Sequence, residues 1–191
     1  MLLYSINTRK SWVSSKIRLT SKVCLHYHGS FGKTSRELPD GSEFAVVRKC
    51  NKKSAKVYQD TYGVFAKKEI DSNVCMVPVV GIYMLELEYK SLKKPYAEYA
   101  IKLSCPEDKP TIIVVPELNR DAPIWAFTND AKRKGQRKNR NNCYFETLMI
   151  EELPVGFIKS RRKLKKGDQI FTDYGKAYWN KYGYKLVKNG Y

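Results

Sequence analysis

The residue types best suited to chemistry gather late in the chain. Tyr174, Tyr178, Trp179, Tyr182 and Tyr184 bring aromatic rings that can surround an aliphatic stem and meet a cationic head. For Tyr182 and Tyr184 a role in the core is as good a reading, because most aromatic rings simply pack. A tyrosine hydroxyl near a reacting nitrogen can orient it and favour developing charge. With an ordinary pKa of about 10 it is poorly matched to act as a base at neutral pH. Asn129 and Asn142 each carry a carboxamide with both donor and acceptor, so a buried copy can tie two backbone segments together or hold a ligand amine. Gly63 lets the backbone come close enough to offer N–H and C=O groups to a ligand.

These residues must be positioned by short strands. Phe44-Ala45-Val46-Val47, Lys56-Val57-Tyr58 and Val64-Phe65-Ala66 read as strands, followed by Val74–Ile82, Ala97–Leu103, Thr111–Val115, Tyr144–Ile150, Phe157–Ser160 and Gln169–Thr172; turn residues separate them. Pro78 and Gly81 suggest a bulge or a close backbone approach inside one of them. Helical signal is confined to Met84–Lys93, with Leu85, Tyr89 and Leu92 on one face, and a terminal turn at Tyr178–Tyr184. The expected fold class is mostly β with few short helices. Pro39-Asp40-Gly41 is a turn signal, and it divides a basic, flexible arm at 1–40 from a folded domain at 41–191.

Three segments in order resemble the SET-domain protein lysine methyltransferases. Tyr62-Gly63-Val64-Phe65-Ala66 resembles the family's opening cofactor-binding element. Phe127-Thr128-Asn129-Asp130-Ala131, continued by Asn141-Asn142-Cys143-Tyr144-Phe145, is similar to its Asn-His element. Ile158–Gly175, ending Asp173-Tyr174-Gly175, matches the third almost position for position. Together they span roughly the last two-thirds of the chain, a more specific signal than any one alone. The departures are Asp130 for His, Ala126 for Arg, Asn141 for Pro, Gln169 for Glu, Val79 where an aromatic is common, and seven extra residues between Asn129 and Asn142.

The resemblance implies a SET fold with a knot-like crossing to which Asn142 belongs, and methyl transfer from S-adenosylmethionine to a protein lysine, with histone the default substrate. It implies Tyr174 as the catalytic tyrosine, and Tyr62, Gly63, Val64, Phe65, Asn129, Asp130 and Tyr174 as cofactor-binding residues. Tyr178 and Trp179 become walls of a substrate channel. Such a transfer needs an aligned, neutral amine and little covalent work from the protein. A second reading, from a different class, is a non-catalytic SET-like module that binds chromatin or nucleic acid through its charge. A third is a basic organellar or ribosome-associated protein.

Charge bears on partners. Lys and Arg number 36 against 19 Asp and Glu, a formal +17, which favours polyanions. The run Lys132, Arg133, Lys134, Arg137, Lys138 and Arg140 reads as a solvated loop, a nuclear-import signal or a DNA-phosphate contact. A second run spans Lys159–Lys166, and the two tilt the substrate toward a nucleosome and the location toward the nucleus. Residues 1–36 hold seven Lys and Arg and no Asp or Glu, a composition shared by mitochondrial transit peptides and by plain basic arms. Cys24, Cys50, Cys75, Cys105 and Cys143 show no metal-ligand spacing and read as reduced thiols. His26 and His28 lack nearby ligands. With no Cys after Cys143, no zinc is expected, and the tail from Tyr178 to Tyr191 closes the site instead. No run of roughly 18 apolar residues argues for a membrane span.

Overall fold

The computed structural model describes residues 4–7, 23–27, 35–38, 40–50, 61–91, 99–103, 111–116, 122–131, 140–150 and 153–180. Their strands are β1 (Tyr4–Asn7), β2 (Val23–Tyr27), β3 (Ser35–Leu38), β4 (Ala45–Lys49), β5 (Tyr62–Ala66), β6 (Cys75–Pro78) and β7 (Ile82–Leu85). After helix α1 (Glu86–Ser91) come β8 (Ile101–Lys102), β9 (Ile112–Val115), a 3-10 helix at Ile124–Phe127, β10 (Cys143–Ile150), β11 (Leu153–Ser160) and β12 (Gln169–Ile170). Residues 175–180 are helical. The mostly-β class expected from the spacing is what forms.

Three sheets share the strands, in the orders β3-β2-β1-β7-β9-β8, β10-β11-β6 and β12-β5-β4. Ile112-Ile113-Val114-Val115 is buried along its whole length, which suits a β-branched run with side chains packed on both faces. β10 and β11 pair from Cys143↔Ser160 to Ile150↔Leu153, so the ladder delivers Asn142 and Arg161 to the same end of the hairpin. Val64, Val79, Val114, Ile158, Leu164 and Ile170 form the centre of one core that all three sheets border. The bridge Ile70↔Leu164 and the parallel bridge Asn129↔Phe171 stitch the loops between them.

Several boundaries differ from the pattern-based expectation. Met84 and Leu85 were expected in a helix; they pair with Ile113 and Ile112 in β7, and α1 starts only at Glu86. Sheet pairing here prevails over a local helical period. Val74–Ile82, read as one strand, divides into β6 and β7 around Val79–Gly81. The close approach suspected at Gly81 is present: a Cβ there would lie 2.3 Å from the Val115 carbonyl oxygen. At the Asp40-Gly41 turn, Asp40 Oδ1 accepts the Ser42 N–H at 2.8 Å. Within 1–40 lie β1, β2 and β3, and β1 adds to β7 through Tyr4↔Tyr83 and Ser5↔Ile82. The strand read at Lys56–Tyr58 lies outside the described residues, as do His28, Cys105, Tyr182 and Tyr184.

Candidate active site

A knot-like crossing builds the site. Asn142, at the entry to β10, donates from Nδ2 to the Gln169 carbonyl at 2.8 Å, and its Oδ1 accepts the Phe171 N–H at 2.8 Å. One buried carboxamide therefore closes both backbone groups of the 169–171 segment, the dual use for which Asn is suited. Main-chain bonds continue the clamp: Cys143 N–H donates to the Phe171 carbonyl at 3.0 Å, and Thr172 N–H to the Asn129 carbonyl at 2.9 Å. The segments around 129, 142 and 171 are thus held together from opposite sides.

Asn129 and Gly63 meet on one flank. Asn129 Nδ2 donates to the Tyr62 carbonyl at 3.1 Å. A Cβ on Gly63 would lie 2.6 Å from Gln169 Nε2, 2.9 Å from Cys50 Sγ and 3.2 Å from Asn129 Nδ2, so only glycine leaves that carboxamide undisturbed. The exposed Tyr62 ring sits edge-on to Phe127, with centroids 6.3 Å apart. Val64 and Phe65 lie deeper. Both are buried in β5, the middle strand of its sheet, and Arg48 stands 3.9 Å over the Phe65 ring.

The other flank is aromatic. Tyr174 donates its phenol hydrogen to the Thr128 carbonyl at 2.6 Å. Its ring lies 4.7 Å from Tyr178, edge-on, and 6.2 Å from Trp179, stacked; Tyr178 and Trp179 meet edge-on at 5.6 Å. Asp130 stands behind them, fully buried. Its Oδ1 accepts Asn141 Nδ2 at 2.9 Å, and its Oδ2 accepts the Tyr174 N–H at 2.9 Å and Trp179 Nε1 at 2.8 Å. Asn141 Oδ1 in turn accepts the Ala131 N–H at 2.7 Å.

Tyr62, Gly63 and Asn129 thus come together, as do Asp130, Tyr174, Tyr178 and Trp179, and the contiguous Thr128-Asn129-Asp130 segment joins the two sets. Thr128, Phe127, Gln169 and Asn141 belong to the same assembly without having been singled out as site residues. A main-chain carbonyl such as that of Thr128 has no signature in side-chain pattern; Gln169 and Asn141 were visible only as departures from the family motif. Residues 132–139 of the basic run lie outside the described residues, and Arg140 is exposed.

Burial pushes the Cys143 thiol up to about 12, against smaller opposing effects of Arg162 and Arg161. It is a neutral packing group at physiological pH, not a nucleophile. Among the described residues no group of three or more His, Cys, Asp or Glu is placed to hold a metal ion, and no helix is long and apolar enough to cross a membrane.

No family model and no curated protein sequence matches the chain. Solved structures do. CpSET8 from Cryptosporidium is 25% identical with a TM-score of 0.53, covering 69% of this chain and 57% of that one. ATXR5 in complex with histone H3.1 mono-methylated on R26 is 15% identical at a TM-score of 0.50, covering 68% of this chain and 56% of that one. The chain therefore spans somewhat over half the length of these proteins. The strand arrangement, the Asn142 clamp and the Asp173-Tyr174-Gly175 segment accord with that likeness: the chain has the fold of the SET-domain methyltransferases.

Proposed function

We propose that this protein transfers a methyl group from S-adenosylmethionine to a lysine side chain of another protein, a histone being the leading substrate. The observation that carries the reading is the Tyr174 phenol held against the Thr128 carbonyl, with the Tyr178 and Trp179 rings alongside. Oxygen acceptors beside aromatic faces suit a cationic centre and an aliphatic ammonium stem.

The residues present fit the cofactor. The Tyr62 carbonyl and the Asn129 carboxamide, packed closely against Gly63, form a neutral, hydrogen-bonding flank for an amino-acid moiety. Val64 and Phe65 hold that flank in register. When bound, S-adenosylmethionine supplies a methyl group on a positively charged sulfur. The chain's own work is positioning: the rings strip water from the incoming amine, and the Tyr174 hydroxyl and Thr128 carbonyl orient its nitrogen. Asp130, whose carboxylate faces donors of the chain itself, supports the site without needing to touch the cofactor.

The +17 charge and the exposed Arg161, Arg162, Lys165 and Lys166 support a nucleosomal partner in the nucleus, with Lys132, Arg133, Lys134, Arg137, Lys138 and Arg140 contacting DNA. The capture of histone H3.1 by ATXR5 is in keeping with that choice. A non-catalytic module that binds chromatin is the second reading, favoured by Asp130, Ala126 and Val79. Calorimetric titration of S-adenosylmethionine into the full chain separates the two. Saturable binding, weakened by about 1–3 kcal/mol in Asn129→Ala as polar groups covered by the cofactor lose their bonds, is expected. A folded chain that gives no binding heat and no shift in melting temperature overturns the enzyme reading.

A further inference from the structure

Asp130 has an arrangement that methyl transfer alone does not call for. Its carboxylate is wholly buried, and a charge in that position is tolerated only when hydrogen-bonded. Asn141 donates to its Oδ1, and the Tyr174 main chain and the Trp179 indole donate to its Oδ2. Trp179 lies in the helical residues 175–180 beyond the Asp173-Tyr174-Gly175 turn. The bond to its indole is therefore a cross-link between the Asn129-Asp130 segment and the start of the tail.

We propose that Asp130 is a positioning residue for the protein substrate: it latches the Trp179 indole to the Tyr174 main chain and so holds the aromatic wall that the substrate's cationic side chain enters. This rests on the channel reading of Tyr174, Tyr178 and Trp179 above. The direction of each bond makes the latch specific. Asp130 offers acceptors on both sides, and Asn141 faces it with a donor while turning its own oxygen to the Ala131 N–H at 2.7 Å. In Asp130→Asn, one amide hydrogen pair must face another donor, because turning either carboxamide moves the conflict to Ala131, Trp179 or Tyr174. Exchanging the two residues, Asp130→Asn with Asn141→Asp, restores each of these four bonds: the new residue 141 accepts from both Ala131 and residue 130, and residue 130 keeps an oxygen toward Tyr174 and Trp179.

Two readouts on the full chain test this. In 15N-labelled protein, the Trp179 indole signal is identified by its loss in Trp179→Phe, and its hydrogen exchange is measured. In parallel, KM and kcat are measured for labelled methyl transfer to free core histones. Asp130→Asn is expected to speed indole exchange at least about tenfold and to raise KM about tenfold, the scale of one buried polar group left unpaired, with a smaller fall in kcat. Trp179→Phe raises KM similarly, and the exchanged pair returns both quantities close to wild type. Non-additivity of this kind is the mark of a shared bond.

The proposal is overturned if folded Asp130→Asn leaves indole exchange and KM unchanged, or if the exchanged pair is as impaired as Asp130→Asn. Should Asp130→Asn not fold, Trp179→Phe and the exchanged pair carry the test, and an unchanged KM in Trp179→Phe overturns it. If the wild-type chain methylates no histone, the functional reading fails on its substrate, and indole exchange alone decides the latch.

Discussion

The Tyr174 hydroxyl donates to the carbonyl oxygen of Thr128 at 2.6 Å, and Thr128 immediately precedes the asparagine whose carboxamide holds the Tyr62 carbonyl. A phenol and a main-chain oxygen are thereby fixed one residue from the asparagine that ties the other flank. Tyr174→Phe keeps the ring stack and removes only the hydroxyl. We predict a fall in kcat of about 10²-fold or more, the usual scale for a preorganised polar group at a reacting centre, with cofactor affinity nearly intact. Single-turnover kinetics beside calorimetry checks this; a wild-type rate removes Tyr174 from the catalytic role.

Gly63→Ala is predicted to weaken cofactor binding, because its Cβ would press on Gln169 Nε2 and Asn129 Nδ2. Overpacking of this kind costs about 1–3 kcal/mol. Adding Gln169→Ala removes the nearest atom and should recover part of the loss. Calorimetry on the single and double variants measures both effects, and equal affinity in Gly63→Ala and wild type contradicts the assignment of this flank.

Asn142→Leu retains the volume but removes the side-chain bonds to the Gln169 carbonyl and the Phe171 N–H. A loss of stability of about 1 kcal/mol or more for each bond removed is expected. Urea unfolding reads it directly. A variant as stable as wild type would mean that the crossing is held by its main-chain bonds alone.

Cys143 gives a pH signature. Burial raises its pKa to about 12, so the folded state keeps its proton where the unfolded thiol has lost it. The resulting stability is fully present below the ordinary thiol pKa and is lost as pH rises toward 12, with a slope of about 1.4 kcal/mol per pH unit. Wild type should therefore lose stability more steeply than Cys143→Ala between about pH 9 and 12. Parallel slopes in denaturant melts would show that the thiol is not shielded.

The parts of this architecture legible in the sequence are those written in side-chain types. The β-branched run at 112–115, the turn at Asp40-Gly41 and the Asn-Asn and Asp-Tyr-Gly segments each carry their cue locally. Met84 and Leu85 fit a helical period in the sequence because their strand partners Ile113 and Ile112 lie far along the chain, and local period cannot register them. Val64 and Phe65 share a motif with Gly63, and their burial in the middle strand depends on neighbours that the motif does not name. Asp130 reads in the sequence as a cofactor-binding residue that departs from the family motif. Its meaning depends on Asn141, Tyr174 and Trp179 converging on it, which the knot-like crossing brings about.

The central claim is tested most directly by incubating the full chain with methyl-labelled S-adenosylmethionine and a panel of nucleosomes, free histones and cell proteins, with Tyr174→Phe alongside. Hydrolysis of the labelled product and amino-acid analysis should recover the label as methyl-lysine, dependent on the Tyr174 hydroxyl. Label recovered on another residue type, in equal amount with Tyr174→Phe, or on no protein although the chain binds the cofactor, would contradict the account.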